Sequence, residues 1–402
     1  MSTAARADDS LDPEAFRSGV RAWLDANFPR SLKGRAQLAL ELDVTGPEAA
    51  DFNAWKAAMG SKGWGTPTWP AEYGGGGLSK EQAKILSQEM ARAGAFNPIG
   101  GMGVMMFGPT LLEYGSEEQK QEHIPAICRG EIRWCQGYSE PGAGSDLASL
   151  QTFAEDKGDH YIVNGQKTWT SGGQWADKCF ALVRTDKSKK HEGITFLLID
   201  MTTPGVTTKP IRLISGASPF CETFFDNVVV PKTNRVGKEG EGWTIGKRLL
   251  QHERTNLVGA GAGLNSSKSL PDLAKQYVGT DQNGKLRDAD LRARIAMFEM
   301  KWRAFLQTAR RVADESKSGN GVSVASSILK IAGTKFGQER SELSLEIMGM
   351  QGLAWEGEGF SPDELRTTRG WLGGKATTIY GGSTEIQNNV IAKRILGMLD
   401  HQ

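Results

Sequence analysis

The chain has almost no net charge: 48 Lys and Arg stand against 47 Asp and Glu, a formal balance of +1. Near-neutrality gives no electrostatic footprint for a nucleic-acid binder or for a protein held on an anionic membrane. Cysteine is scarce. Cys128, Cys135, Cys179 and Cys221 are scattered without C-x-x-C spacing, which predicts neither a zinc site nor a disulfide framework. The five histidines make no H-E-x-x-H or similar cluster, so no metal-binding helix is indicated. Long apolar runs are missing too. The opening MSTAARADDS lacks the apolar segment of a signal peptide, and the longest low-charge stretch, AGAFNPIGGMGVMMFGPTLL, is broken by prolines and glycines. That stretch is too interrupted to span a bilayer and reads as a buried loop-and-helix segment. These absences predict a metal-free cytoplasmic protein acting on a small molecule.

What is present is ordinary globular material, with 39% hydrophobic and 24% charged residues in a length of 402 that allows two or three packed units. The pattern changes twice. To about residue 130 it is helical: DPEAFRSGVRAWLDANF starts with Asp12 as N-cap and Pro13 at the first helical position, with Phe16, Val20, Trp23 and Leu24 on one face. GWGTPTWPAEYGGGGLS reads as loop and SKEQAKILSQEMARAG as helix. From 131 to 240 short β-branched runs take over: HYIVNGQKTW, KCFALVRTD, GITFLLIDM, GVTTKPI and ETFFDNVVVP. Asn164-Gly165 is the strongest short hairpin signal among them, and the spacing predicts a compact β-barrel or sandwich. From Trp243 onward long amphipathic segments predict a helical bundle.

Two features carry chemistry. In TTIYGGSTEIQNNVIAKRIL, Gly381 and Gly382 precede what reads as a helix start, with Thr384 and Gln387 in the T-x-x-Q pattern of a capping box. A glycine turn at a helix start lets a ligand approach bare backbone donors, yet this turn holds nothing that takes or gives a proton. In GWTIGKRLLQHERTNLV, Ile245, Leu249, Glu253 and Leu257 are four apart, so Glu253 projects from an apolar stripe beside His252 and Arg254. A carboxylate there is either half of a buried Glu–Arg pair or a general base poised by burial. Spacing alone leaves both open.

The motif YSEPGAGSDLAS (Tyr138 to Ser149), then NGQKTWTSGGQWAD, then the closing IYGGSTEIQ resemble, in that order, the acyl-CoA dehydrogenase family of flavoproteins. The resemblance covers nearly the whole chain, and bacterial pimeloyl-CoA dehydrogenase large subunits are the nearest pattern. It implies an α+β fold with an N-terminal helical domain (1–130), a middle β-barrel domain (131–240) and a C-terminal four-helix bundle (241–402). It also implies FAD. Tyr138 and Ser139 would line the pyrimidine side of the flavin, Trp169 would pack on the isoalloxazine, and Ser171 would touch the ring or ribityl edge. Ser145 would lie near the phosphates and the pantetheine path, and Ser383, Thr384 and Glu385 would face the ADP portion. Glu346 and Gly349, in EIMGMQG, stand where the family contacts a neighbouring subunit's FAD, with Glu in place of a common Gln. Many members carry the catalytic glutamate at the position of Gly381. A subgroup resembling isovaleryl-CoA dehydrogenase takes it from the helix after the β-domain, just before an arginine, which fits Glu253–Arg254.

The implied reaction is α,β-dehydrogenation of an acyl-CoA thioester, with Glu253 as base and the Gly381 amide at the thioester oxygen. Arg254 and Ser145 would serve substrate binding, and electrons would pass to an electron-transfer flavoprotein. The usual Arg-x-x-Phe-Gly stretch is missing from LAKQYVGTDQNGKLRDADLRARIAMFEM. That departure implies either a homo-oligomer or a heteromer with a related subunit. A subunit role in a heteromeric enzyme, and oxygenation or desulfination on the same scaffold, are the alternatives.

Overall fold

The computed structural model describes residues 12–40, 44–260, 268–317 and 326–399. The chain divides into two compact units: one runs through Ile211 and includes Pro219–His252, the other holds Arg212–Ser218 and the chain from Glu253.

The first unit begins with helices α1 (Pro13–Asn27), α2 (Ala49–Ser61), α3 (Lys80–Ala93), α4 (Gly108–Tyr114) and α5 (Glu117–Cys128). Asp12 caps α1 by accepting from the Ala15 amide at 3.3 Å, with Pro13 at the first helical position as the sequence predicts. Ser79–Gln82 and Ser116–Gln119 close reciprocal capping boxes at the starts of α3 and α5. Val20, Leu24, Trp55, Met59 and Leu86 form a buried core between α1, α2 and α3.

Eight strands follow: β1 (Trp134–Gly137), β2 (Phe153–Asp156), β3 (His160–Ser171), β4 (Lys178–Arg184), β5 (Ile194–Asp200), β6 (Val206–Ile211), β7 (Phe220–Pro231) and β8 (Arg235–Val236). They form one sheet in the order β6-β7-β3-β2-β4-β5-β8, with β1 parallel to β4. Successive side chains of a strand point to opposite faces, and here each face has its own core. Phe180 and Leu182 of β4 and Phe196 and Leu198 of β5 pack with Phe107 and Leu111 of the N-terminal helices, and with Ile245 and Leu249 of α6 (Gly242–Ala260). Cys179, Ala181 and Val183 of β4 pack instead with Tyr161, Val163, Phe225 and Val228. Among the described residues that second core is built from strand side chains, with no helix of the first unit contributing. All four cysteines are buried free thiols.

Asn164-Gly165 is not a hairpin turn, contrary to the sequence expectation. It lies inside β3, at a register shift against β7. A Cβ on Gly165 would stand 2.6 Å from Thr152 Oγ1, so close packing with the residue before β2 demands glycine here. Asn164 spends its side chain across the bulge, accepting from the Asn227 amide at 2.8 Å. The real β2–β3 turn is at Lys157–Asp159, closed by Lys157 N–H to the His160 carbonyl.

The second unit is helical: α7 (Leu270–Tyr277), α8 (Ala289–Lys317), α9 (Ser326–Met348), α10 (Pro362–Gly374) and α11 (Thr384–Val390), the last running into a π-helical turn, Ile391–Ile395. Leu270, Leu291, Ile295, Phe298, Leu343 and Ile347 make its core. None of the described helices is long and apolar enough to cross a membrane.

Candidate active site

The sequence-predicted residues fall into three clusters. The first lies in the sheet. β3 loses its register with β7 between Lys167 and Thr170, and this bulge turns Trp169 outward, 55% exposed, with φ of +59°. A large side chain held in the left-handed region is strained and persists only where its surroundings enforce it. They do: Thr170 and Thr223 hydroxyls bond at 3.1 Å beyond the bulge, and the Thr168 amide donates to the Ser139 carbonyl at 2.8 Å. Tyr138–Ser139 and Trp169–Ser171 are thereby brought side by side. The Tyr138 ring itself is buried, edge-on to Phe180 and Phe196, so Tyr138 offers a ligand its backbone. Ser145 is exposed on the following turn, where a Cβ on Gly142 or Gly144 would meet nothing within 4 Å.

Beneath this surface Glu140 and Lys167 form a buried ion pair at 2.7 Å, the lysine 0% exposed. Glu140 also accepts from the amides of Gln151 (2.6 Å) and Thr152 (2.9 Å). Burial pushes its carboxyl up, but the Lys167 charge and these donors outweigh burial and hold it below the ordinary carboxylate range. Burial pulls Lys167 down, with Glu140 opposing. A carboxylate with three donors stays ionised, so the pair is a true ion pair.

The second cluster is the glycine turn. Gly381 and Gly382 have φ of +69° and +94°, a geometry that favours glycine at both places. The N-cap of α11 is Ser383, which accepts from the Ile386 amide at 3.4 Å. The expected Thr384–Gln387 capping box is therefore wrong by one residue. Gln387 turns back and donates to the Gly381 carbonyl at 3.1 Å, while Lys330 of α9 donates to the Gly382 carbonyl at 2.5 Å. Burial lowers the Lys330 pKa, with Glu385 opposing. Both carbonyls of the turn are thus clamped. Thr384 is half-buried and Glu385 exposed at the start of α11.

The third cluster lies at the other end of α9. Glu346 takes a two-pronged ion pair from Arg294 of α8, at 2.5 and 2.6 Å, and Gly349 follows with φ of +56°. Sixteen residues of helix separate Lys330 from Glu346, about 24 Å along the axis. Glu253 and Arg254 lie on α6, whose backbone is helical through Ala260; their side chains fall outside the described residues.

Sequence reasoning missed Lys167, Lys330 and Gln136 as site residues. Gln136, two residues before Tyr138 on β1, has a buried Nε2 with no hydrogen-bond partner among the described residues, and a buried unpaired amide asks for a ligand acceptor. A polar residue in the apolar strand WCQG was the one available signal. The first cluster suits a flavin: backbone groups and hydroxyls at a polar edge, an exposed indole, an unpaired amide donor and open glycine backbone.

Family models for the N-terminal, middle and C-terminal domains of acyl-CoA dehydrogenases match residues 12–131, 135–228 and 240–396. The acyl-CoA dehydrogenase IpdE1 of Mycolicibacterium smegmatis is 35% identical over 96% of this chain and 98% of its own. Among solved structures, the ChsE4-ChsE5 complex from Mycobacterium tuberculosis superposes with a TM-score of 0.75 at 31% identity, covering 100% of both chains. The Tcur3481-Tcur3483 steroid ACAD gives 0.76 at 30% identity, covering 98% of this chain and 100% of that one. Such enzymes are FAD-binding oxidoreductases built from helical N- and C-terminal parts around a sheet-rich centre, as here. The chain belongs to the acyl-CoA dehydrogenase family.

Proposed function

We propose that this chain converts an acyl-CoA thioester to the trans-2-enoyl-CoA, with Glu253 as the base that takes the α-proton. An α-proton beside a thioester is too weakly acidic for an unaided carboxylate, so negative charge on the carbonyl oxygen needs a fixed donor. The Gly381 amide is that donor, in a turn whose geometry favours glycine and whose carbonyls Gln387 and Lys330 hold. FAD, when bound, supplies the acceptor for the β-hydride at its N5. Trp169, Ser171 and the Tyr138–Ser139 backbone would orient the ring and keep water from it. Ser383, Thr384 and Glu385 would hold its ADP portion, and Ser145 and Arg254 would bind the CoA ester. An electron-transfer flavoprotein takes the electrons onward. The supporting observation is the clamped glycine turn: a backbone donor kept where no carboxylate remains.

The boundaries 1–130, 131–240 and 241–402 are proposed as three domains. Two solved relatives are two-chain assemblies and one is a steroid enzyme, which favours a bulky, ring-containing acyl group and a related partner subunit. Glu346 supports the same reading. Its tie to Arg294 leaves a cation–anion pair where the family contacts a neighbour's FAD.

The test is anaerobic titration of the flavin-loaded chain, alone and with a candidate partner subunit, against straight-chain and steroid-side-chain acyl-CoAs. Bleaching of the flavin band, lost in Glu253→Gln, is expected. Bleaching that survives Glu253→Gln removes that residue as base, and fast reoxidation by oxygen without enoyl-CoA formation moves the reading to oxygenation.

A further inference from the structure

Lys167 ties together the two segments that form the first cluster. Its ammonium donates to the Tyr138 carbonyl at 3.2 Å as well as to Glu140. It is the last residue paired to β7, opposite Thr223, before the bulge that projects Trp169. Glu140 closes the other side. Its backbone makes a doubly bonded turn with Ala143, and its carboxylate grips the chain entering β2 at Gln151 and Thr152. Tyr138–Ala143, the bulge and the start of β2 are thus held through one charge pair with four hydrogen bonds.

Stability alone does not account for such a pair. Taking two charges out of water is expensive, and replacing a buried ion pair by neutral side chains of similar volume is often neutral or stabilising. What the pair adds is a fixed geometry for backbone groups that side-chain packing cannot orient. Resting on the flavoprotein reading above, we propose that Glu140 and Lys167 are positioning residues: together they set the Tyr138–Ser139 backbone against the Trp169 bulge and so shape the flavin cradle.

Three proteins test this: the wild-type chain, Lys167→Met, and the double variant Glu140→Gln/Lys167→Met, in which no unpaired charge is buried. FAD affinity and the visible circular dichroism of bound FAD are measured, together with amide exchange at Thr168 and Ala143 in the FAD-free protein. The double variant is expected to melt near wild type. It should bind FAD about tenfold more weakly, with an altered flavin spectrum and faster exchange at Thr168. Wild-type affinity, spectrum and exchange in the double variant overturn the proposal. So does a double variant that does not fold, since the pair is then needed for stability itself. Wild-type protein that takes up no FAD, with or without a partner subunit, overturns the flavoprotein reading instead. The exchange at Thr168 still decides whether the pair holds the two segments together.

Discussion

Glu89 on α3 offers a quantitative test of the N-terminal helices. Its carboxylate is 2% exposed. It accepts from Arg17 Nη1 at 2.8 Å, from Arg21 Nε and Nη2 at 2.7 and 3.2 Å, and from Arg92 Nε at 2.7 Å. Hydrogen bonds from Arg21, Arg17 and Arg92, in that order, lower its pKa from 4.5 to about 2. A depressed carboxylate pKa stabilises the fold fully above the ordinary value and loses that contribution as pH falls through the folded value. A shift of this size corresponds to at most about 3 kcal/mol. Arg21 and Arg92 are 47% and 49% exposed, and solvent screening reduces the figure to about 1–2 kcal/mol. Glu89→Gln keeps the shape and removes the charge. In urea unfolding followed by tryptophan fluorescence, the variant should be less stable by that amount at pH 7. The gap should close between pH 4.5 and about 2, where the wild-type carboxylate protonates. A gap unchanged at pH 3, or absent at pH 7, refutes the reasoning.

Gly382→Ala places a Cβ 2.4 Å from Gln387 Nε2 at a φ of +94°. It should cost about 1–3 kcal/mol of strain, read as a lowered melting temperature, and should slow the dehydrogenation by displacing the clamp on Gly381. Trp169→Ala removes a half-exposed side chain, so unfolding should shift by no more than about 0.5 kcal/mol. FAD affinity, read by quenching of flavin fluorescence, should nonetheless fall about tenfold.

Local signals in the sequence were read correctly where local forces decide. The Asp12–Pro13 start of α1 and the five β-branched runs that became β3 to β7 need only neighbouring residues. Asn164-Gly165 misled because its glycine serves a contact with Thr152, not a turn. Thr384 misled because Gln387 found a better partner in the Gly381 carbonyl. The clamps themselves were invisible: Lys167 and Glu140 are 27 residues apart, Lys330 and Gly382 are 52. Periodicity carries no trace of contacts at that range. The helical spacing of Ile245, Leu249 and Glu253 placed a carboxylate on an apolar stripe, because one helix suffices to express it, but left open whether it is a base or half of an ion pair.

The shared core between the sheet and the N-terminal helices has a consequence for synthesis. Phe107, Leu111 and Ile124 are completed by Phe180, Leu182, Phe196 and Leu198, which leave the ribosome about 60–90 residues later, on the order of 3–18 s at typical elongation rates. During that interval α4 and α5 lack the strand side chains that complete their apolar sides, with only earlier residues such as Tyr73 and Met106 beside them. The nascent chain is therefore most in need of a chaperone between the emergence of α5 and that of β5, and a ribosome stall in that window should yield aggregate rather than a folded N-terminal fragment.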